Sequence, residues 1–213
     1  NMPIFNILNF TTKNLILWKI SENESQLAES IYLSNSEKSK FNSIKSSAKR
    51  KHFLAIKNIL KMLKIDFGQV TYKQSGKPEI KDKYISISHS YDYCGVIASE
   101  KKVGIDIEKF RPKIERIKNK FISEKEKSLI DDLSIENLTK VWTIKEAVFK
   151  AFGHNSIDFK KNIIIKKINR KFDKAIVEIN KKSIVEYYIL DIVNFSQYIC
   201  SVAQINDLNL ELD

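Results

Sequence analysis

Apolar residues recur at helical spacings of three and four from about Glu24 to Lys64, which predicts a largely helical segment there. Within it, Ser34 followed by Glu37 has the form of a capping box, which satisfies the free amides at a helix start. The buried stripe of the longest predicted helix comprises Phe53, Ile56, Ile59, Leu60 and Leu63.

The segments around this helical region are predicted to be strands, and Tyr84 to Ser88 alternates apolar and polar residues as a half-buried strand does. The predicted strands are Asn14 to Lys19, Val70 to Lys73, Tyr84 to Ser88 and Tyr93 to Ser99, the last two forming a hairpin. Residues 75–78 (Ser-Gly-Lys-Pro) are predicted to form a turn.

The same order of elements then returns. A strand from Val103 to Glu108 precedes helical segments from Ile114 to Asp132, in which Ser123 and Glu126 form a second predicted capping box. A long helix with a stripe of large apolar residues follows and is stopped by Gly153. That stripe comprises Val141, Trp142, Val148, Phe149 and Phe152. The remaining predicted strands are Ile163 to Ile168, Ala175 to Ile179, Val185 to Ile192 and Tyr198 to Gln204.

This repetition indicates a diverged duplication, with one α/β half at residues 1–102 and another at residues 103–213. No linker rich in Pro, Gly or Ser separates the halves, so we expect them to pack closely and to form a cleft between them. Because the duplication supplies within one chain the interface that a dimer would otherwise provide, we expect a monomer.

Composition narrows the class of protein. No apolar run of membrane-spanning length and no secretory signal is present, and the two cysteines fit buried thiols in a reducing cytoplasm. The three histidines lack the spacing of zinc ligands. The formal charge of +11 suggests an acidic partner, which could be nucleic acid, an anionic membrane surface, a phosphorylated cofactor or an acidic protein.

Two acidic positions offer a candidate metal site. Asp106 and Glu108 lie two apart on a predicted strand, so both carboxylates are expected to face outward while Ile105 and Ile107 face the core. At about 7 Å and an effective dielectric near 20, their repulsion is roughly 2.4 kcal/mol, which a divalent cation would offset. If both carboxylates are simply solvated, the repulsion falls below about 1 kcal/mol and no cation is needed.

The Trp142 helix carries Glu146 and, one turn later, Lys150. Such a pair is often only a surface ion pair, worth about 0.2–0.5 kcal/mol. If the helix meets the strand, however, Glu146 joins Asp106 and Glu108 as a third oxygen ligand of the kind that Mg²⁺ prefers, and Lys150 is free to contact a phosphate.

Two further short segments fit phosphate binding, although each is ordinary by itself. Ser88 and His89 lie at a strand end, where a hydroxyl and an imidazole are able to donate hydrogen bonds. Gly76, Lys77 and Pro78 offer a close backbone approach next to a cation. No glycine-rich nucleotide-binding fingerprint occurs, so phosphates are expected to be held by side chains and metal.

Together these segments, in this order and spacing, resemble the 4′-phosphopantetheinyl transferases. The resemblance rests on residues 104–108 (Gly-Ile-Asp-Ile-Glu), the Trp142-x-x-Lys145-Glu146-Ala147-x-x-Lys150 helix, residues 87–90 and residues 76–78. It covers roughly Ser34 to Gly153 by motif. The length and the duplication are similar to the larger, pseudo-dimeric, surfactin-synthetase-activating type.

The resemblance implies an α+β fold of two similar α/β subdomains related by pseudo-two-fold symmetry, with coenzyme A in the cleft and Mg²⁺ held by Asp106, Glu108 and Glu146. Lys150 would lie at the diphosphate. The resemblance further places Ser88 and His89 at the nucleotide's phosphates, Gly76, Lys77 and Pro78 along the adenine edge, and Lys38 and Lys51 at the 3′-phosphate. Arg50 is an equal candidate for the position of Lys51, and Lys does not reproduce a bidentate guanidinium contact.

The expected reaction is attack by a carrier-protein serine on coenzyme A, with Glu146, directly or through a metal-bound water, taking the proton. The basic chain would then suit an acidic carrier protein. Two rival hypotheses are a basic nucleic-acid-binding module and a degenerate transferase that binds a partner without catalysis. The dispersed lysines count against the first, and retention of the three carboxylates and Lys150 counts against the second.

Overall fold

The computed structural model describes residues 4–5, 14–74, 76–154 and 156–206. Its first half contains strands β1 (Ile4–Phe5) and β2 (Leu15–Lys19), helices α1 (Glu24–Ala28), α2 (Asn35–Ser43) and α3 (Ser47–Met62), and strands β3 (Thr71–Tyr72), β4 (Pro78–Glu79), β5 (Tyr84–Ser90) and β6 (Tyr93–Ser99). Strands β1, β2, β6 and β5, in that order, form one antiparallel sheet, while β3 and β4 form a separate pair.

The second half contains strand β7 (Val103–Lys109), helices α4 (Lys113–Ile117), α5 (Glu124–Lys127) and α6 (Ile135–Phe152), and strands β8 (Ile163–Ile168), β9 (Lys174–Lys181), β10 (Ile184–Phe195) and β11 (Tyr198–Ile205). These strands form a second antiparallel sheet in the order β7-β11-β10-β9-β8. The chain is thus a mixed α+β protein with two sheets and surrounding helices, and the two-fold relation between its halves stays a prediction.

The helix boundaries follow local signals that the sequence already shows. Both predicted capping boxes are confirmed, since Ser34 and Glu37 cap α2 while Ser123 and Glu126 cap α5. Gly153 ends α6 in a left-handed conformation at φ 72°, which glycine adopts without steric cost. None of the helices in the described part of the chain is long and apolar enough to span a membrane.

Each long helix packs on one sheet through its apolar stripe. Helix α3 buries Leu54, Ile59 and Leu60 in the first core, and α6 buries Val141 and Val148 in the second. Trp142 and Phe149, predicted to belong to the buried stripe, are only partly buried and pack at its border. Cys94 and Cys200 are buried free thiols, as expected.

A third apolar cluster joins the halves. Leu17 and Ile97 of the first sheet pack with Ile105, Ile107 and other residues of the second. Gly95 leaves room for this contact, because a Cβ there would lie 2.5 Å from Leu17 Cδ2 and about 3 Å from both isoleucines. The close packing expected from the missing linker is therefore observed.

Three local predictions differ from the structure. The strand predicted from Val70 to Lys73 comprises only Thr71–Tyr72, and Pro78, predicted to be a turn residue, lies in β4 opposite Tyr72. Gly76 does adopt the positive φ of a turn, at 82°, whereas Ser75 lies outside the described residues. Of the helical region predicted from Ile114 to Asp132, only short helices form, and α4 and α5 are separated by a 3₁₀ turn.

Candidate active site between the two sheets

Helix α6 lies directly across one face of β7, and a glycine makes this approach possible. A Cβ on Gly104 would lie 2.0 Å from the carbonyl oxygen of Ala147 and 2.6 Å from the amide nitrogen of Ala151. Residues at alternate positions of a strand share a face, so Asp106 and Glu108 face the same helix. The carboxylates of β7 and the polar residues of α6 are thereby brought together.

Asp106 is the centre of this contact. Lys150 Nζ lies 2.7 Å from Asp106 Oδ1, and the hydroxyl of Ser88 donates to the same oxygen at 3.1 Å. The expectation that Asp106 faces outward was wrong, because it is only 6% exposed. Strand β5 and helix α6 cover β7 on the side where the sequence pattern predicted solvent.

Glu108 lies nearer the surface, at the open end of β7. Its Oε2 accepts from Ser90 Oγ at 3.4 Å and from Arg111 Nη2 at 3.3 Å. Burial, followed by the neighbouring charge of Asp106, raises the pKa of Glu108. The same pair of causes, burial and then Asp106, raises the pKa of Glu146 to about 7.

The charge of Asp106 thus opposes ionisation of both Glu108 and Glu146, and Glu108 also opposes ionisation of Glu146. Burial also raises the pKa of Asp106, and the contacts with Lys150 and Ser88 act in the opposite direction. A site that collects buried negative charge in this way is suited to a cation.

The donor set fits a divalent cation, and one atom supports this most directly. Asp106 Oδ2 is buried without a hydrogen-bond partner, although a buried carboxylate oxygen normally has one. The side chains are not preassembled around an ion: among residues 4–5, 14–74, 76–154 and 156–206, no three His, Cys, Asp or Glu side chains form a ready-made cluster. Lys150 supplies the positive charge at Asp106 in this arrangement.

A cavity of about 230 Å³ opens from this point between the halves. Glu146, Lys150, Ser86 and Ile87 line it, together with Phe149, Gly153 and the segment Gly76, Lys77 and Pro78. The structure thus brings the predicted turn segment to the same cavity as the polar residues of α6. Lys77 Nζ donates to the carbonyl of Ala151 at 3.2 Å, which fixes it at the end of α6.

A larger cavity of about 730 Å³ lies on the other side of Lys77, Pro78 and Gly153. Lysines 73, 81, 83 and 102 border it. Glu146 and Lys150 line the smaller cavity and not this one, so the smaller cavity is the better candidate for chemistry.

Comparison with known proteins agrees with this geometry. Residues 102–203 match the family model of the 4′-phosphopantetheinyl transferase superfamily. This part of the chain, slightly less than half of it, is therefore similar to that superfamily of enzymes. The matched residues include Asp106, Glu108, Glu146 and Lys150, so the family match falls on the carboxylate site itself.

Two 4′-phosphopantetheinyl transferases are similar to the chain. The 4′-phosphopantetheinyl transferase of Bacillus subtilis is 31% identical over 93 residues, which cover 42% of this chain and 42% of the relative. The 4′-phosphopantetheinyl transferase gsp of Aneurinibacillus migulanus is 30% identical over 138 residues, which cover 57% of this chain and 58% of the relative. The chain thus spans about half the length of the curated relatives it matches.

His89, predicted to bind phosphate, lies on β5 outside the superfamily match and does not line the cavity of about 230 Å³. The ring of His89 stacks on His52 at 4.4 Å between centroids. His89 is exposed at the surface of β5. Partial desolvation by its neighbours, followed by the charges of His52 and Lys150, lowers its pKa to about 4. An anion beside this ring would offset the repulsion that the neighbouring cations exert on the protonated form.

The basic residues predicted for the 3′-phosphate differ in their surroundings. Arg50 forms an ion pair with Glu24 at 2.8 Å and donates to the carbonyl of Ile44, so its guanidinium is occupied. Lys51 borders a cavity of about 270 Å³ next to His52. Lys38 Nζ lies over the ring of Tyr32, 5.6 Å from its centroid.

The residues that hold helix α6 in place were not recognised from the sequence. Lys145 is completely buried and pairs with Glu126 at 2.7 Å, and its ammonium also donates to the carbonyls of Phe159 and Ile163. Glu126 in turn accepts from the amide of Ile165. A charged residue within an apolar helical stripe was the available signal, because a buried lysine requires a partner.

Proposed function

We propose that the chain transfers the 4′-phosphopantetheine arm of coenzyme A to a serine hydroxyl of an apo acyl or peptidyl carrier protein, with release of adenosine 3′,5′-bisphosphate. The observation that carries the proposal is the meeting of Asp106, Glu108, Glu146 and Lys150 beside a cavity between the two halves. Similarity to 4′-phosphopantetheinyl transferases supports the same reaction.

In this proposal Asp106, Glu108 and Glu146 hold Mg²⁺, and the buried, unpaired Oδ2 of Asp106 is one of the ligand atoms. When bound, the ion supplies charge neutralisation at the diphosphate of coenzyme A. Lys150, which contacts Asp106 in this structure, would supply a further positive charge at the diphosphate.

Glu146 is the proposed general base. Without a bound cation, burial and the charge of Asp106 raise its pKa to about 7. A cation at the site would favour the ionised carboxylate, which is the form that accepts a proton. It takes the proton from the carrier serine, whose oxygen then attacks the β-phosphorus. No nucleophile from this chain is needed, because the carrier protein supplies it.

The cavity walls position the nucleotide. In this proposal Gly76, Lys77 and Pro78, which line the cavity, lie along the adenine edge, and His89 lies towards the nucleotide's phosphates. The hydroxyl of Ser88 already donates to Asp106, so Ser88 is not assigned to a phosphate. For the 3′-phosphate, Lys51 is favoured over Arg50 because Glu24 already neutralises the arginine.

The decisive experiment incubates the protein with coenzyme A, Mg²⁺ and a panel of apo-carrier proteins, and measures the carrier mass. We expect the mass to rise by one phosphopantetheine arm with the wild type, and Glu146→Gln to lower the rate at least about 100-fold. Glu136→Gln is the matched control, since Glu136 lies on α6 but pairs with Lys140 and contacts Asn194 on an exposed surface.

Stability provides an internal check on the same variants. The pKa of Glu146 is higher in the folded protein than in the unfolded chain, so the ionised carboxylate destabilises the folded protein at pH 8. Glu146→Gln removes this charge and should therefore not lower the melting temperature. Near-normal transfer by Glu146→Gln would remove the proposed base. A wild type that modifies none of the carriers, while binding nucleic acid in a salt-dependent manner, would favour the rival hypothesis.

A further inference from the structure

Three serines of β5 contact β7 at a constant spacing. The hydroxyls of Ser86, Ser88 and Ser90 accept from the amides of Ile105, Ile107 and Lys109 at 3.0, 3.1 and 3.3 Å. The constant offset of 19 residues means that the two strands run in the same direction. We call Ser86, Ser88 and Ser90 the serine ladder.

The serine ladder provides hydrogen-bond acceptors for the free amides at the edge of the second sheet. Strand β7 pairs with β11 on one side, and on its other side alternate amides point towards β5. Buried amides without acceptors are unfavourable, so the hydroxyls take the place of a neighbouring strand's carbonyls. All three serines are buried, and all three perform this task.

The serines differ in what else they touch. Ser88 donates to Asp106 Oδ1 at 3.1 Å, and Ser90 makes a longer contact of 3.4 Å with Glu108 Oε2. Gly104 occupies the position before Ile105 and has no side chain, so Ser86 has no carboxylate at the equivalent place. The chain therefore provides one ladder serine with the backbone contact alone.

The contacts of Ser88 account for its full hydrogen-bonding capacity. A hydroxyl has one proton and two lone pairs. The proton goes to Asp106, and the lone pairs accept from the amide of Ile107 and from Lys150 Nζ at 3.0 Å. In this arrangement Ser88 has no proton left for a phosphate.

The contact also explains which oxygen of Asp106 remains available. Ser88 and Lys150 both bind Oδ1, whereas Oδ2 is buried and unpartnered. Holding one carboxylate oxygen fixes the plane of the carboxylate and thus the direction of the other. At Glu108, Ser90 and Arg111 likewise both contact a single oxygen, Oε2.

We propose that Ser88 and Ser90 are positioning residues that orient the Asp106 and Glu108 carboxylates towards a divalent cation, whereas Ser86 only completes the backbone contact. The proposal rests on the cation site of the proposed function and adds the groups that orient its ligands. Residues that hydrogen-bond to metal ligands commonly alter metal affinity by about 10- to 100-fold when they are removed.

The test measures binding of Mn²⁺ alone, without coenzyme A or carrier protein, by calorimetry and by the electron paramagnetic resonance signal of free Mn²⁺. We expect Ser88→Ala to weaken binding about tenfold. Ser90→Ala is expected to weaken it by a smaller factor, because its contact is longer. Ser86→Ala is expected to bind as the wild type does, while all three variants lower the melting temperature by similar amounts.

A second readout separates positioning from contact with coenzyme A. In the transfer assay, Ser88→Ala should raise the Mg²⁺ concentration for half-maximal rate, and Ser86→Ala should leave it unchanged. Unchanged Mn²⁺ affinity in Ser88→Ala together with a raised KM for coenzyme A would overturn the proposal in favour of phosphate binding.

Equal loss of Mn²⁺ affinity in Ser86→Ala and Ser88→Ala would also overturn it, since the effect would then be structural. A wild type that binds no Mn²⁺ at millimolar concentration defeats the inference whatever the transfer result. Failure of the transfer reaction itself is a separate outcome, because the Mn²⁺ titration involves no substrate.

Discussion

At the scale of single residues, the candidate site depends on a balance between three carboxylates and Lys150. Asp106 is almost fully buried, and Lys150 is the cation that contacts it. Burial raises the pKa values of all three carboxylates, and the charge of Asp106 raises those of Glu108 and Glu146 further. The site is therefore electrostatically strained without a further cation, which is typical of functional positions.

Lys150→Met should lower both activity and stability. The variant leaves the Asp106 carboxylate without the cation that contacts it, so the free energy of unfolding at pH 8 should fall. Breaking a fully buried ion pair typically costs about 3–5 kcal/mol. We expect a smaller loss here, because the Lys150 side chain is 28% exposed. Urea unfolding measures the loss, and added Mg²⁺ should recover part of it.

The matched control is Lys140→Met on the same helix, where Lys140 pairs with the exposed Glu136. We expect a change within about 1 kcal/mol there. Equal stability of the two variants would contradict the importance of Lys150 at Asp106, and unchanged transfer by Lys150→Met would remove it from the reaction.

At the scale of elements, the site is set by how α6 lies on β7. The helix approaches so closely at Gly104 that even a methyl group would meet its backbone. The buried pair of Lys145 and Glu126 attaches the other side of α6 to α5 and β8. These contacts fix the height and rotation of the helix, and hence where Glu146 and Lys150 point.

Gly104→Ala should displace α6 and thereby disturb the site without changing any proposed ligand. A Cβ 2.0 Å from the Ala147 carbonyl oxygen requires a backbone shift, so we expect a loss of about 1–3 kcal/mol in unfolding free energy and a large fall in transfer rate. Gly68→Ala is the control, because its Cβ would meet Asp66 at an ordinary 3.5 Å. A fully active Gly104→Ala enzyme would show that the site tolerates movement of the helix.

Lys145→Met should be strongly destabilising although Lys145 contacts no part of the cavity. It leaves the carboxylate of Glu126 buried without its ion partner, a change that typically costs about 3–5 kcal/mol. The double variant Lys145→Met with Glu126→Gln should regain part of this loss, because glutamine keeps an acceptor for the Ile165 amide without the charge. Additive losses in a double-mutant cycle would disprove the coupling.

At the scale of the whole molecule, the two halves depend on each other through polar and apolar contacts. The serine ladder completes the edge of β7, and Leu17, Tyr93 and Ile97 cover its apolar face. The division between residues 102 and 103 separates strands that belong to different sheets. The apolar residues of each half that meet in the third cluster would nevertheless be exposed to solvent if the halves were separated, as would the unpaired edge of β7.

Residues 103–213 expressed alone should therefore fail to fold cooperatively. Separation exposes Ile105, Ile107 and their neighbours and leaves three β7 amides without acceptors. Calorimetry and the dispersion of the amide NMR spectrum measure the outcome, and coexpression with residues 1–102 serves as the control. A sharp unfolding transition of the isolated segment would show that the halves are independent domains.

Local signals in the sequence determined most of the elements and the members of the site. Periodicity located both long helices, serine and glutamate spacing located two helix starts, and the acidic residues were recognised by their pattern on β7 and α6. Such signals depend on residues that are close together in the sequence, so they can be recognised without knowing the tertiary structure.

Only the tertiary structure decided how deeply Asp106 is buried, that Lys150 pairs with it, and that Ser88 and Ser90 reach the two carboxylates. These facts depend on β5 lying beside β7, two strands of different sheets that meet through side chains and not through backbone pairing. No local periodicity encodes that contact, because it arises from the packing of the two halves against each other.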